Sequence, residues 1–277
     1  MITSLTNRKI KLIASLRDRS RRRSKEGLFI AEGIKMFEET PIQCLKEIYV
    51  SELTWPELKE DKALWKRLCA CMEAKVHVEQ VSEEVFRETS DTQTPQGILL
   101  VLEQFSYQIE DLIEKAKAKQ KAQGKAPLFL LLEDIQDPGN LGTMIRTGEG
   151  AGVDGVIMSK GTVDIYNPKT VRATMGSLYR VPFVYTEDLG GEIKRLQENK
   201  IKVYAAHLNG KKLYDQVTYK GGSAFLIGNE GNGLCEETAK LANVCLKIPM
   251  EGELESLNAA VAASLLLYQA AGSQRKQ

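Results

Sequence analysis

The chain has 277 residues and a formal net charge of +1, and its length fits one large domain or two of ordinary size. Hydrophobic residues make up 43% of it and charged residues 27%, as in soluble globular proteins, which excludes collagen-like, low-complexity and wholly disordered chains. The charge is uneven, because residues 1–25 hold nine lysines and arginines against one aspartate, a net charge of +8, and the rest carries −7. This split excludes a uniformly basic coat protein and predicts local contact with a polyanion.

The composition also limits compartment and metal chemistry. No apolar run approaches the roughly 20 residues that span a bilayer, and basic residues from Arg8 onward interrupt any secretory apolar core. We therefore expect a cytoplasmic protein without membrane attachment. The five cysteines have no CxxC spacing and the only histidines are His77 and His207, so we expect neither a disulfide framework nor a bound metal.

The first 105 residues alternate between the apolar patterns of helices and strands. Helices are predicted at residues 4–16, 33–39, 63–74 and 83–87, and strands at 28–31, 47–50, 75–79 and 97–103. This alternation predicts a small α/β domain over residues 1–105. The segment that follows is rich in lysine, alanine and glutamine, and we interpret residues 106–126 as a solvated helical linker.

A second α/β domain is predicted over residues 127–277, and it opens with a nearly all-apolar run typical of a buried parallel strand. Strands are predicted at residues 128–133, 155–158, 183–185, 202–206, 224–227 and 244–248. Helices are predicted at residues 141–151, 168–175, 190–199, 236–241 and 256–271. The pattern indicates a parallel sheet covered on both faces.

The first of three glycine-rich segments follows the opening strand of this domain. Asn140 is a favourable helix N-cap, and Arg146 lies on the predicted helix. Gly148 and Gly150 each cost about 1 kcal/mol relative to alanine inside a helix, which predicts close approach by a backbone or a ligand. A surface ion pair with Glu149 is an equally good explanation for Arg146.

The other two segments follow later strands, and neither contains a P-loop or a GxGxxG fingerprint. Residues 226–234 place three glycines and an Asn-Glu pair after a buried strand, where the edge of a parallel sheet binds ligands. Residues 248–263 run from Pro249 to a helix that Ser256 can cap. Asn258 then lies in the first helical turn, which implies a polar partner.

These segments, in this order, resemble the three motifs of the SpoU (TrmH) branch of the SPOUT RNA methyltransferases. The matching patterns are Asn-x-Gly-x-x-x-Arg ending at Arg146, Gly-Asn-Glu-Gly-x-Gly from Gly228, and Ile-Pro-Met followed by Ser-Leu-Asn-x-x-Val-Ala from Ile248. The resemblance covers about residues 128–272, including the intervening segment Asn167-Pro168-Lys169-x-x-Arg172-Ala173-x-x-Gly176. The N-terminal domain is similar to a ribosomal-protein-like RNA-binding domain through Asn7-x-x-Ile10-Lys11 and Phe29-x-x-Glu32-Gly33.

The resemblance implies methyl transfer from S-adenosylmethionine to a ribose 2′-hydroxyl, a C-terminal trefoil knot and a homodimer. It implies cofactor contacts at Ala206, His207, Leu208, Gly228, Asn229, Gly231, Ile248, Met250, Ser256 and Leu257. It implies catalytic roles for Arg146, Asn140, Glu230 and Asn258. Because an arginine holds its proton tightly, stabilising the developing alkoxide is an easier role for Arg146 than taking the proton. Asn140, Glu230 and Asn258 are then orienting residues.

RNA contacts are expected along the basic arm and on the family segment near residue 170. The predicted set is Arg8, Lys9, Arg17, Arg19, Arg21, Arg22, Arg23, Lys25, Lys169 and Arg172. A solvated, disordered arm is the alternative for its N-terminal members.

Ribosomal RNA, specifically 23S rRNA, is the expected substrate because a basic two-domain layout fits those family members best. The alternatives are the same chemistry on tRNA and a non-catalytic RNA-binding or ribosome-assembly factor. Intact Asn140, Arg146, Glu230 and Asn258 count against the non-catalytic alternative. A nicotinamide-dependent enzyme lacks its glycine fingerprint.

Overall fold

The computed structural model describes residues 1–275, and the chain forms two compact units. The first unit comprises Met1–Phe105 and Asp164–Tyr179. The second comprises Ser106–Val163 and the chain from Arg180 onward. The chain thus leaves the first unit after Phe105, re-enters it at Asp164 and leaves it again after Tyr179.

The first unit contains a four-stranded sheet with helices. Its helices are α1 (Arg8–Asp18), α2 (Ser20–Glu26), α3 (Ile34–Glu39), α4 (Thr54–Glu60), α5 (Lys62–Glu73), α6 (Glu83–Thr89) and, from the inserted segment, α9 (Pro168–Ala173). Its strands are β1 (Leu28–Glu32), β2 (Leu45–Ser51), β3 (His77–Val81) and β4 (Ile98–Glu103), in the order β1-β4-β2-β3. β4 is antiparallel to both of its neighbours, and β2 is parallel to β3.

One hydrophobic cluster of this unit joins α1 and α6 to the sheet. Ile10, Ile13 and Leu16 follow helical spacing and pack with Tyr49 of β2 and Val101 of β4. The predicted helix over residues 4–16 begins later, at Arg8, because the Asn7 side chain accepts a hydrogen bond from the Lys9 amide and caps the helix there.

The second unit contains a seven-stranded, wholly parallel sheet. Its strands are β5 (Leu128–Leu132), β6 (Gly155–Ser159), β7 (Phe183–Thr186), β8 (Lys202–Ala206), β9 (Lys212–Leu213), β10 (Ser223–Ile227) and β11 (Val244–Lys247). The order is β7-β6-β5-β10-β8-β11-β9. Its helices are α7 (Ile109–Gln123), α8 (Pro138–Ala151), α10 (Leu189–Glu198), α11 (Glu236–Leu241) and α12 (Ala259–Arg275). The predicted α/β class with a parallel sheet is confirmed, whereas the trefoil knot stays a prediction.

Helix α7 differs from the solvated linker predicted over residues 106–126. Its residues Ile109, Leu112, Ile113 and Ala116 are buried in the hydrophobic core of the second unit. Their spacing puts them on one helix face, which packs with strand residues, while Lys117 bonds to Asn199 and Lys119 bonds to Asp154. The lysine-rich composition obscured this apolar face.

Candidate functional site

Loops that follow three strands, β8, β10 and β11, line a cleft at the carboxyl edge of the parallel sheet together with the start of α12. The cleft has a volume of about 480 Å³, within the range of about 300–1,000 Å³ typical of small-molecule sites. All ten residues predicted to contact the cofactor line it: Ala206, His207, Leu208, Gly228, Asn229, Gly231, Ile248, Met250, Ser256 and Leu257. Segments that are separate in the sequence therefore form one concave surface.

The lining combines apolar side chains with carboxylates. Leu246 is buried, and Ile248 and Leu257 are partly buried. Glu236 and Glu255 contribute carboxylates to the same cleft. Such a site offers an apolar surface that suits an adenine ring and carboxylates that attract a cation. S-adenosylmethionine carries both groups, an adenine ring and a positively charged sulfonium.

His207 is fixed at the rim of this cleft. Its backbone N–H donates to the Leu246 carbonyl, and its Nδ1 accepts from the Asn209 amide at 3.2 Å. Its Nε2 lies 3.5 Å from Oε1 of Glu236. The hydrogen bond at Nδ1 and the nearby Glu236 carboxylate orient the imidazole at the rim of the cleft.

A hydrogen-bonded chain of side chains joins the three glycine-rich segments. Asn258 Nδ2 donates to Asn140 Oδ1 at 2.9 Å, and Asn140 Nδ2 donates to Glu230 Oε1 at 3.0 Å. Glu230 also lines the cleft. Three of the four predicted catalytic residues therefore lie together beside the cofactor cleft.

Glu230 is held as a carboxylate by its hydrogen bonds. Burial raises the pKa of this group, but hydrogen bonds from Asn140 and from the backbone amides of Gln136 and Asp137 outweigh it and leave the pKa below its ordinary value. A carboxylate stabilised in this way is a poor proton acceptor. Glu230 is therefore suited to orienting Asn140 rather than to general-base work.

The N-caps beside the site differ from those predicted. Helix α8 begins at Pro138 with the Asp137 side chain as its cap, and Asn140 lies within the first turn. At the last helix it is Asn258, rather than Ser256, whose Oδ1 accepts from the amides of Ala260 and Val261. Asn258 thus uses its oxygen for the helix and its nitrogen for Asn140.

Asp134 is a further support for the loops that no sequence pattern predicted. Asp134 has a positive φ of 54° directly after β5, and its amide donates to Ser159 Oγ at 2.8 Å. Its carbonyl accepts from Asn229 Nδ2 at 2.8 Å, and Asn229 Oδ1 accepts from the Gly231 amide. The turn after β5 therefore fixes the glycine loop after β10.

Arg146 lies exposed on α8, and within residues 1–275 it has no hydrogen bond or ion pair. The surface pair with Glu149 that the sequence allowed does not form, because Glu149 bonds to Arg180. Arg146 is thus available to an anionic ligand, as the predicted role requires.

Gly148 and Gly150, two of the glycines of α8, meet side chains and not a backbone. A Cβ added at Gly150 would lie 2.6 Å from the Tyr268 hydroxyl of α12, and one at Gly148 would lie 3.5 Å from Val153. Within the part of the chain that the structure describes, the predicted close approach by a backbone is found at neither position.

The basic arm is folded into α1 and α2, and two of its predicted RNA contacts hold the first unit together. Arg23 is only 3% exposed, and it bonds to the Asp164 carboxylate at 2.7 Å and to the carbonyls of Leu16 and Arg17. Arg17 donates to the carbonyls of Glu88 and Ser90. A buried arginine whose donors are used cannot contact phosphate, so the prediction for Arg23 is wrong.

The remaining cations fall into two groups. Three are paired: Lys9 with Glu47, Arg22 with Glu26, and Arg172 with Asp91. Arg8, Arg19, Arg21 and Lys25 are exposed and have no ion pair among the described residues. Lys169 is exposed on α9 beside Arg172. Arg8, Arg19, Arg21 and Lys25 can meet a polyanion without breaking an ion pair among the described residues.

The geometry of fold and site agrees with the matches to known families. Residues 127–268 match the SpoU rRNA Methylase family, and residues 7–100 match the MRM3-like substrate binding domain. The chain therefore belongs to the SpoU rRNA methylase family, which confirms the resemblance and the predicted class, an RNA methyltransferase that uses S-adenosylmethionine.

Individual relatives match along nearly the whole chain. The 23S rRNA (guanosine(2553)-2′-O)-methyltransferase RlmP of Bacillus subtilis strain 168 is 32% identical over 98% of this chain and 99% of its own length. An AdoMet-bound rRNA methyltransferase from Sinorhizobium meliloti is 30% identical, covers 97% of this chain and 96% of that one, and has a TM-score of 0.79. A solved RNA 2′-O ribose methyltransferase is 25% identical with a TM-score of 0.77, covering 100% and 99% of the two chains.

No helix within residues 1–275 is both long and apolar enough to cross a membrane. No group of three or more histidine, cysteine, aspartate or glutamate residues in that range is arranged to hold a metal ion.

Proposed function

We propose that this chain transfers the methyl group of S-adenosylmethionine to the ribose 2′-hydroxyl of a guanosine in 23S rRNA, the one that corresponds to guanosine 2553. Full-length similarity to RlmP, which acts at that position, supports the choice of nucleotide. The matched substrate-binding domain over residues 7–100 supports a structured RNA substrate.

The observation that carries the proposal is the chain Asn258–Asn140–Glu230 beside the cleft. It joins one residue from each of three segments that are far apart in sequence. A stable hydrophobic core alone would not require these hydrogen bonds. Hydrogen-bonded side-chain networks of this kind orient groups at reactive sites.

The cleft fits S-adenosylmethionine in size and chemistry. Backbone groups of Gly228, Ile248 and Leu257 are available for its polar edges, and Glu236 and Glu255 supply negative charge. When bound, this cofactor supplies an activated methyl group, so the protein needs to position the two reactants rather than to activate the donor.

The residues of the chain then have separate tasks. The ribose hydroxyl would give its proton to solvent water, so that negative charge develops on its oxygen. As that oxygen forms the new bond to the methyl carbon, the carbon–sulfur bond of the donor would break, and its electron pair would stay on sulfur, which leaves as a neutral thioether. The Arg146 guanidinium, which is exposed and uncommitted, stabilises the charge on the ribose oxygen and binds the adjacent phosphate. Asn140 and Asn258 hold the motif loops, and Glu230 fixes the direction of the Asn140 amide.

We further propose a cytoplasmic homodimer with a knotted C-terminal segment. Val261 and Tyr268 of α12 are each 47% exposed, and exposed apolar side chains in a row on one helix favour association with a second copy. Light scattering of wild type and Val261→Glu tests the dimer, and a wild-type protein of monomer mass would rule it out.

Methylation of unmodified 23S rRNA in vitro tests the main proposal. The purified chain is incubated with S-adenosylmethionine and either 23S rRNA or bulk tRNA from cells that lack the enzyme, and 2′-O-methyl positions are mapped. We expect one new modification, at the guanosine that corresponds to position 2553. Modification of tRNA alone would show that tRNA, and not 23S rRNA, is the substrate. Cofactor binding without any methylation would favour the non-catalytic alternative.

A further inference from the structure

The loop between α6 and β4 in the first unit is unusually polar and rigidly held. Residues 90–96, here called the 90–96 loop, contain only serine, aspartate, threonine, glutamine and one proline. The Glu32 carboxylate accepts hydrogen bonds from Ser90 Oγ at 2.7 Å, Thr92 Oγ1 at 2.6 Å and the Asp91 amide at 3.1 Å. The Glu32 carboxylate therefore fixes the start of the loop.

The other end of the loop is tied to the residues after Glu32. Gln96 Oε1 accepts from the Ile34 amide at 2.9 Å. Gly33 makes room for this contact, since its φ is 108° and an added Cβ would lie 2.7 Å from the same Gln96 oxygen. The Glu32-Gly33 pair thus holds both ends of the 90–96 loop, a role that core packing does not explain.

The tip of the loop carries polar groups without partners. Gln93 and Thr94 are exposed and make no hydrogen bond with any residue in the described range. The anchoring bonds limit the entropy that these side chains lose when they bind a ligand. The fixed loop therefore presents one amide and one hydroxyl to solvent in a defined direction.

Arginines flank the loop within the same unit. Arg17 donates to the Ser90 carbonyl at 3.2 Å, and the Arg172 guanidinium lies 2.8 Å from the Asp91 carboxylate with 43% of its side chain exposed. The single acid of the loop is thus paired with Arg172, and Arg17 is itself paired with Asp18. In RNA recognition, amide and hydroxyl side chains read the base edges and 2′-hydroxyls of unpaired nucleotides.

We propose that the 90–96 loop reads an unpaired segment of the RNA substrate, with Gln93 and Thr94 bonding to base edges or 2′-hydroxyls. The inference rests on the proposed function and deepens it by naming the contact that selects the RNA. The match of residues 7–100 to a substrate binding domain favours RNA over a protein partner.

The test compares RNA binding by wild type with that by the double variant Gln93→Ala/Thr94→Ala. Unmodified 23S rRNA transcript is the probe for filter binding at several salt concentrations, and calorimetry measures S-adenosylmethionine affinity. We expect RNA affinity to fall about tenfold, as for two lost hydrogen bonds of ordinary strength. The salt dependence should not change because no charge is removed, and cofactor affinity should stay at the wild-type value.

Gln43→Ala is the matched control. Gln43 is also an exposed glutamine of the first unit, but it precedes β2 at the end where Leu45 pairs with Leu102, whereas the loop enters β4 at Ile98. It therefore lies at the opposite end of the sheet, and its removal should leave RNA affinity unchanged.

Gln93→Glu gives a second measurement, because a carboxylate at the tip should repel RNA and lower its affinity further. RNA affinities within twofold of wild type in both variants would overturn the inference, and so would an equal loss in the control. A wild-type protein that neither binds nor methylates the transcript would overturn the proposed function instead, so the two failures are distinguishable.

Discussion

Asn258 donates from its Nδ2 to Asn140 Oδ1 and accepts with its Oδ1 from the first amides of α12, so one side chain serves both the site and the helix. The two bonds use different atoms of the amide. Substitution can therefore remove one bond and keep the other.

Asn258→Asp should uncouple stability from activity. A carboxylate keeps the N-cap but has no donor for Asn140, so the unfolding free energy should stay near the wild-type value while methyl transfer falls at least tenfold. Asn258→Ala should also lose about 1 kcal/mol of stability, because the cap is lost as well. Urea unfolding and single-turnover methylation measure the two effects, and equal activity of Asn258→Asp and wild type would contradict the orienting role.

Arg146→Ala should abolish methylation while S-adenosylmethionine still binds. The reason is that Arg146 has no structural partner among the described residues, so its removal leaves the fold and the cleft intact. Calorimetry gives the cofactor affinity, and Arg146→Lys is the matched variant, which keeps the charge but not the forked geometry. Substantial turnover by Arg146→Ala would sink the assignment.

Glu230→Gln should change the pH dependence of stability. Because the folded-state pKa of Glu230 is lowered from 4.5, its carboxylate stabilises the folded state above that pH, and this contribution is lost as the pH falls through the folded pKa. The difference in unfolding free energy between wild type and Glu230→Gln should therefore shrink as the pH drops below about 4.5. A difference that is constant from pH 7 to pH 3 would show that the carboxylate is not stabilised in this way.

Arg23→Ala and Arg21→Gln should have opposite consequences. Loss of Arg23 leaves Asp164 and two carbonyls without their partner and should cost about 3 kcal/mol of stability. Loss of the exposed Arg21 should leave stability unchanged but weaken RNA binding and lower its salt dependence by about one charge. Denaturant unfolding and salt-dependent RNA binding distinguish them, and a stable Arg23→Ala with weak RNA binding would reverse the two roles.

These arginines also show where sequence reasoning stops. Arg21 and Arg23 lie in one run of like charges, and nothing in their spacing indicates that Asp164, 141 residues further on, buries only one of them. The motif residues were more predictable, because ligand-binding loops of a parallel sheet converge at one edge wherever their strands are found. Helix α2 has no apolar face and so left no periodic signal, whereas the apolar residues of α7 did have helical spacing that its lysine-rich composition obscured.

The position of Asp164 has a consequence for how the protein is made. The first unit is interrupted after Phe105 and completed only by Asp164–Tyr179, which follows two strands and two helices of the second unit. During synthesis from the N-terminus, the first hundred residues emerge with Arg23 still lacking its carboxylate. The final folding step of the N-terminal unit therefore waits for translation of the catalytic unit to be under way, and a ribosome that stalls between them releases a binding module that is incomplete.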